Sequence, residues 1–178
     1  KPAGPSCNIE CTYCFYLPKR ALFPGNPPLR MSEAVLESFT RQYIRSQPPG
    51  TPGIDFSWQG GEPTLMGVDF FRKALAYQRR YARPGMAVTN SLQTNGTLLD
   101  PEWGAFLRDH DFLVGISIDG PERLHDRFRK DRRGAGTFAR AMAGLEVLNR
   151  HRVKYNTLTC VHPGNSHFPV QVYDFLKQ

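Results

Sequence analysis

The residues best suited to chemistry in this chain are Cys7, Cys11 and Cys14, set in the run Cys7-Asn8-Ile9-Glu10-Cys11-Thr12-Tyr13-Cys14-Phe15-Tyr16. A C-x3-C-x2-C loop brings three thiolates close together in space. The remaining cysteine, Cys160, is far downstream and offers no obvious fourth ligand. Structural zinc sites want four ligands in a closed shell, and a cubane iron–sulfur cluster is usually held by four cysteines. Three thiolates around one cubane leave one iron open, and an open iron is a place for chemistry. The aromatic Phe15 directly after the third cysteine fits a shielded cluster loop. The spacing alone leaves open a half-built zinc loop or three incidental structural cysteines.

Further polar residues stand where strands are expected to end. Gly60-Gly61-Glu62-Pro63 follows a strand-like run ending at Trp58. The glycines let backbone approach a ligand without Cβ interference, and Glu62 adds an anionic acceptor suited to an ammonium group. The alternative is an ordinary strand-to-helix turn. Ser117-Ile118-Asp119-Gly120 closes another apolar run, and alternation points Ser117 and Asp119 to one side. A hydroxyl and a carboxylate there suit ribose hydroxyls, although Asp-Gly is also a common turn cap. Gln59 and Gln93-Thr94-Asn95-Gly96 put amides at the same rim. His125 reads as a loop-ordering residue rather than a base, and Cys160 as a buried small apolar residue within a strand.

With these motifs in order, the chain resembles the radical S-adenosylmethionine (SAM) superfamily, and within it the anaerobic sulfatase-maturating enzymes. The resemblance implies a [4Fe–4S] cluster on Cys7, Cys11 and Cys14, and SAM as second cofactor. It implies that Gly60, Gly61 and Glu62 hold the methionyl amino group, that Ser117 contacts SAM, and that Arg129 clamps the SAM carboxylate. A guanidinium fork suits that last task. Tyr13 is carried over as an adenine-side contact and Gln59 as a substrate contact. The implied reaction is reductive SAM cleavage to a 5′-deoxyadenosyl radical, which oxidises a sulfatase Cys or Ser to formylglycine. The implied partners are a sulfatase polypeptide and a flavodoxin- or ferredoxin-like electron donor. Other peptide-modifying members of the superfamily share these motifs.

The elements that must position these residues alternate. Ser32 is expected to cap a helix carrying Val35, Leu36, Phe39, Tyr43 and Ile44 on one face, after the Pro/Gly-rich stretch 24–28. A strand over 54–58, a helix holding Phe70, Phe71, Ala74 and Leu75, and a strand over 87–94 follow. Asp100 and Pro101 open a helix with Trp103, Phe106 and Leu107 inward. A buried-type strand over 113–118, a helix opened by Thr137, a strand over 153–161 and a helix from Pro169 complete the series. Such alternation gives an α/β fold of parallel strands covered by helices, open or barrel-like. The resemblance implies a partial (β/α) TIM-like barrel with its cofactors at the C-terminal strand ends. It also implies one partial radical SAM core domain over residues 1–178, incomplete at both ends, without the C-terminal auxiliary-cluster domain of complete maturases. No residue here is then named as general base.

At 178 residues the chain can bury a sizeable core. Charged residues at 22% and hydrophobic ones at 40% are ordinary for a globular protein. Cysteines without a secretory signal argue for a reducing, cytoplasmic setting and metal ligation rather than disulfides. No apolar run is long enough for a bilayer, so no membrane partner is expected. The net charge of +7 gathers in Arg123, Arg127, Arg129, Lys130, Arg132 and Arg133 with acidic neighbours interleaved. Without a nucleic-acid motif beside it, this reads as a solvated loop with one or two ligand contacts. The rival class is a zinc-stabilised or metal-free binding module that turns this basic loop to an acidic partner.

Overall fold

The alternating apolar runs form a parallel sheet, in a computed structural model that describes residues 1–23 and 29–177. The expected Pro/Gly-rich stretch 24–28 lies outside the described residues. Strands β1 (Gly53–Trp58), β2 (Ala87–Thr94), β3 (Leu113–Ser117) and β4 (Tyr155–Leu158) are ordered β1-β2-β3-β4. In register, Trp58 meets Leu92, Thr94 meets Ile116 and Ser117 meets Leu158. Helix α1 (Glu33–Arg45) precedes β1, the crossovers carry α2 (Val68–Tyr81), α3 (Pro101–Asp109), α4 (Glu122–His125) and α5 (Phe138–His151), and α6 (Pro169–Leu176) follows β4. Parallel neighbours require such long connections.

Period-two alternation divides the sheet into two faces. Ile54, Phe56, Trp58, Leu92, Val114 and Ile116 point to the helices and are buried with Phe71, Leu75, Trp103, Leu107 and Leu148. The opposite face carries Asp55, Ser57, Ser91, Gln93 and Ser117, and is polar. There Asp55 accepts hydrogen bonds from Thr89 Oγ1 (3.0 Å) and Ser91 Oγ (2.8 Å). This polar face leads to the C-terminal strand ends.

The caps explain where the helices begin. Ser32 Oγ accepts from the Val35 amide (3.3 Å), and Asp100 Oδ1 accepts from the Trp103 amide (2.9 Å). The buried stripe of α1 runs through Leu36, Thr40 and Ile44, so Val35, on the flank, is 53% exposed rather than inward. Thr137 occupies the N-cap of α5 but does not cap it. Asp126 Oδ1 accepts from the Thr137 and Phe138 amides (2.8 Å each), while the Thr137 hydroxyl donates to the Arg129 carbonyl (2.8 Å). The last strand is shorter than expected, Tyr155–Leu158 instead of 153–161. Among the described residues no helix is long and apolar enough to cross a membrane.

Candidate functional site

The cysteine loop has no regular structure of its own and is held by the segment that carries Arg129. Ile9 bridges Asp131, the Glu10 amide donates to the Lys130 carbonyl (2.7 Å), and the Thr12 amide donates to the Phe128 carbonyl (3.0 Å). Arg132 Nη2 donates to the Cys7 carbonyl (2.7 Å). Cys7 and Cys14 are half-buried and Cys11 is buried. Burial pushes the Cys11 thiol up to about 12, against the pull of Arg129, and raises the Cys7 thiol too. Sulfur held in this way becomes a thiolate when a cation is bound to it. Phe15, expected to shield the loop, borders the cavity but is 69% exposed, because its ring lies at the mouth beside Lys19.

Directly beyond β1, the Gly60-Gly61-Glu62-Pro63 turn packs against the start of this loop. Gly61 has φ +54°, and a Cβ there would stand 2.1 Å from the Ser6 carbonyl oxygen. Only glycine fits that approach. The Glu62 amide donates to the same Ser6 carbonyl (2.8 Å). Glu62 is only 1% exposed, and its carboxylate is engaged at both oxygens. Oε1 accepts from the Thr64 amide (3.0 Å), Thr64 Oγ1 (2.7 Å) and Thr94 Oγ1 (2.8 Å), and Oε2 from the Asn95 amide (2.8 Å). Burial raises its pKa while these donors oppose the rise. Pro63 follows at the start of the 3-10 turn Pro63–Met66, which Glu62 caps, so the carboxylate expected for an ammonium serves the turn and the end of β2.

Across the sheet, Ser117 ends β3 and lines the cavity, whereas Asp119 is fully buried behind it. Asp119 is therefore not free to meet a ligand, although its partners Tyr13, Arg129 and Cys160 border the same cavity as Ser117. Asp119 Oδ2 pairs with Arg129 Nε (2.9 Å) and accepts from the Tyr13 hydroxyl (2.6 Å); Oδ1 accepts from the Cys160 amide (3.0 Å). Arg129, 7% exposed, brings Nη1 to 4.0 Å from Cys11 Sγ. His125 is buried, with Nδ1 accepting from the Asp119 amide (3.3 Å) and Nε2 against Thr137 Oγ1 (3.2 Å). Burial, with Arg129 beside it, pushes its pKa down to about 4. It orders the loop, as expected.

Cys7, Cys11, Cys14, Gly60, Gly61 and Glu62 line one cavity of about 310 Å³. Tyr13, Gln59, Ser117 and Arg129 also border it. That volume is at the lower end of the roughly 300–1,000 Å³ typical of small-molecule sites. Among the described residues no three His, Cys, Asp or Glu side chains converge on one point that could hold a single metal ion. Thiols distributed around a cavity suit a cubane, whose irons occupy separate corners, better than one tetrahedral zinc. The residues present therefore fit the cluster.

Sequence reasoning missed His162 and Asn165. The His162 ring stacks on Tyr13 (centroids 5.4 Å, 28°), and its buried Nε2 lies 3.7 Å from Asp119 Oδ2. Asn165 Nδ2 donates to the Cys160 carbonyl (2.8 Å). Only the Pro163-Gly164 turn signal between them was legible. Cys160 is a correction. It is exposed at the cavity edge rather than buried in the core, because β4 ends at Leu158.

The chain resembles known proteins along its length. The model of the radical SAM superfamily matches residues 2–176. A serine-type anaerobic sulfatase-maturating enzyme of Klebsiella aerogenes is 44% identical over 176 residues, covering 99% of this chain and 42% of that protein. A cysteine-type anaerobic sulfatase-maturating enzyme of Clostridium novyi is 36% identical over 182 residues, covering 100% and 47%. Among solved structures, native anSMEcpe with bound AdoMet and Cp18Cys peptide superposes with a TM-score of 0.87 at 37% identity, covering 99% of this chain and 46% of that one. The chain thus spans less than half the length of these relatives. A parallel sheet with its cysteine loop at the strand ends, matched over residues 2–176, establishes that this chain belongs to the radical SAM superfamily.

Proposed function

We propose that this chain is the cofactor-binding core of a cytoplasmic sulfatase-maturating radical SAM enzyme, oxidising a Cys or Ser of a sulfatase polypeptide to formylglycine by two electrons. The observation that carries the reading is one cavity bordered by Cys7, Cys11, Cys14, the Gly60-Gly61 turn, Ser117 and Arg129. Relatives matched over nearly the whole chain bear that activity in their names, and one is solved with AdoMet and a peptide. A flavodoxin- or ferredoxin-like protein is the electron donor in this reading.

Cys7, Cys11 and Cys14 would hold a [4Fe–4S] cluster, with SAM as the second cofactor of the cavity. When bound, these cofactors would supply the radical chemistry that removes a hydrogen atom from the substrate Cβ. The protein's part is binding, orientation and exclusion of water. Backbone at Gly60 and Gly61 receives the methionyl amino group, because no Cβ stands in the way. Glu62 acts at one remove, its buried carboxylate fixing that turn to Thr64 and the end of β2. Arg129, oriented by Asp119, turns its guanidinium to the methionyl carboxylate. Ser117 Oγ accepts from Gln93 Nε2 (3.0 Å), leaving its own hydrogen to donate to a ribose oxygen. Tyr13, stacked on His162, faces the adenine, and exposed Gln59 meets the substrate peptide at the rim.

The test is anaerobic incubation of the reconstituted enzyme with SAM, a strong reductant and a sulfatase-derived peptide. Expected are 5′-deoxyadenosine and a formylglycine mass change in the peptide. Formation of 5′-deoxyadenosine with a different peptide modification would remove the sulfatase assignment, and no SAM cleavage would remove the radical reading.

A further inference from the structure

Asn95 stands one residue beyond β2 and is 7% exposed. Its backbone amide and both polar atoms of its side chain are engaged. Its amide donates to Glu62 Oε2 (2.8 Å), and its Oδ1 accepts from the Thr97 amide (2.9 Å) and Thr97 Oγ1 (2.7 Å). With two donors on Oδ1, the side-chain NH2 must face the other way. There Nδ2 donates to Asn8 Oδ1 (2.9 Å) and to Cys7 Sγ (3.6 Å). The turn is seated from behind by α5, where a Cβ on Gly144 would stand 2.1 Å from the Gly96 carbonyl oxygen. A buried amide is thus fixed on both sides with one hydrogen aimed at a cysteine sulfur.

We propose that Asn95 raises the reduction potential of the cluster through its N–H···S bond to Cys7, an inference that rests on Cys7 being a cluster ligand. Reduction adds one negative charge, part of which falls on the cysteine sulfurs. A fixed donor stabilises the more negative state more strongly, and hydrogen bonds to sulfur are among the determinants of cluster potential. Asn95, which borders the cavity, acts on the cluster through Cys7 as a positioning residue.

The test is an EPR-monitored redox titration of the anaerobic holoenzyme, following the signal that Cys7→Ala abolishes. Asn95→Ser keeps a short acceptor for the Thr97 amide but cannot reach Cys7. Asn95→Asp keeps the acceptor and puts an anionic oxygen where the donor was. At fixed ambient potential the reduced-to-oxidised ratio is expected to fall about tenfold in Asn95→Ser, a midpoint about 59 mV more negative for a one-electron couple. Asn95→Asp is expected to fall further. A merely structural Asn95 would change iron content and leave the midpoint of the remaining cluster in place; unchanged midpoints in both variants overturn the proposal. If neither variant assembles the cluster, the wild-type holoenzyme labelled with 15N at asparagine side chains decides. Hyperfine coupling from that nitrogen to the reduced cluster is expected, and its absence overturns the proposal. A cluster retained in Cys7→Ala would instead refute the ligand assignment itself.

Discussion

Two buried carboxylates stand at the C-terminal end of the sheet, and they are satisfied by different means. Glu62, beyond β1, is surrounded by neutral donors from Thr64, Thr94 and Asn95. Asp119, beyond β3, is held by the charged Arg129, the Tyr13 hydroxyl and the Cys160 amide. The Glu62 shell ties local backbone to neighbouring backbone and makes a rigid turn. The Asp119 shell ties the cysteine loop, the Arg129 segment and the residues after β4 to one point. Neutral hydrogen bonding builds a wall of the cavity; a buried ion pair joins separate segments around it.

The largest effect lies outside both shells and shows what they support. Replacing Cys7, Cys11 or Cys14 by Ala is expected to abolish the visible chromophore and bound iron, since two thiolates do not retain the cubane. Cys160→Ala should leave iron content unchanged. Iron and sulfide analysis of the four variants checks this.

The two carboxylates can be compared directly. Asp119→Ala leaves the buried Arg129 without its counter-ion, which costs about 3–5 kcal/mol by analogy with broken buried pairs. Glu62→Gln keeps acceptor capacity at one atom and is expected to cost less, about 1–3 kcal/mol. Urea unfolding of both variants measures the difference; equal losses would erase the distinction between the shells.

The Asp119 side also carries a pH signature. His125 has a folded-state pKa of about 4 against an ordinary 6.5. Between those values the unfolded chain binds more protons, so stability is full above pH 6.5 and is lost as the pH falls toward 4. A shift of that size corresponds to about 3 kcal/mol. His125→Gln should flatten this acid slope in urea midpoints measured across the interval. A slope as steep as in the unaltered protein would show that another group carries it.

The smallest effects concern the cofactor. Arg129→Ala should weaken SAM binding by about 1.5–3 kcal/mol, the scale of a hydrogen bond to a charged group, or roughly tenfold and more in affinity. Glu62→Gln, acting only through the turn, should weaken it less. Calorimetry on the reconstituted protein ranks the two, and a larger loss for Glu62→Gln would invert the roles assigned here.

Much of this was legible in the sequence, for identifiable reasons. Strands β1 to β3 alternate clearly at Ile54-Phe56-Trp58 and Val114-Ile116, and Ser32 and Asp100 cap their helices by side-chain chemistry local to them. The cysteine spacing and the glycines at 60 and 61 are local signals too. What sequence could not give is long-range. That Glu62 turns inward depends on Thr94 and Asn95 at the end of another strand, and that Asp119 meets Tyr13 joins residues 106 positions apart. Asp126 replaces Thr137 as the cap of α5 across a loop, and α4, only four residues long, is too short to show periodicity. His162 meets Tyr13 only because the chain after β4 returns to the cysteine loop, a contact between residues 149 positions apart that no local pattern signals.

The central claim is that Cys7, Cys11 and Cys14 hold one [4Fe–4S] cluster that SAM meets directly. EPR spectra of the reduced, anaerobically purified protein before and after SAM addition, beside those of Cys11→Ala, address it most directly. The account expects a cluster signal that is absent from Cys11→Ala and whose g-values change when SAM is added. A signal that persists in Cys11→Ala and does not respond to SAM would contradict it.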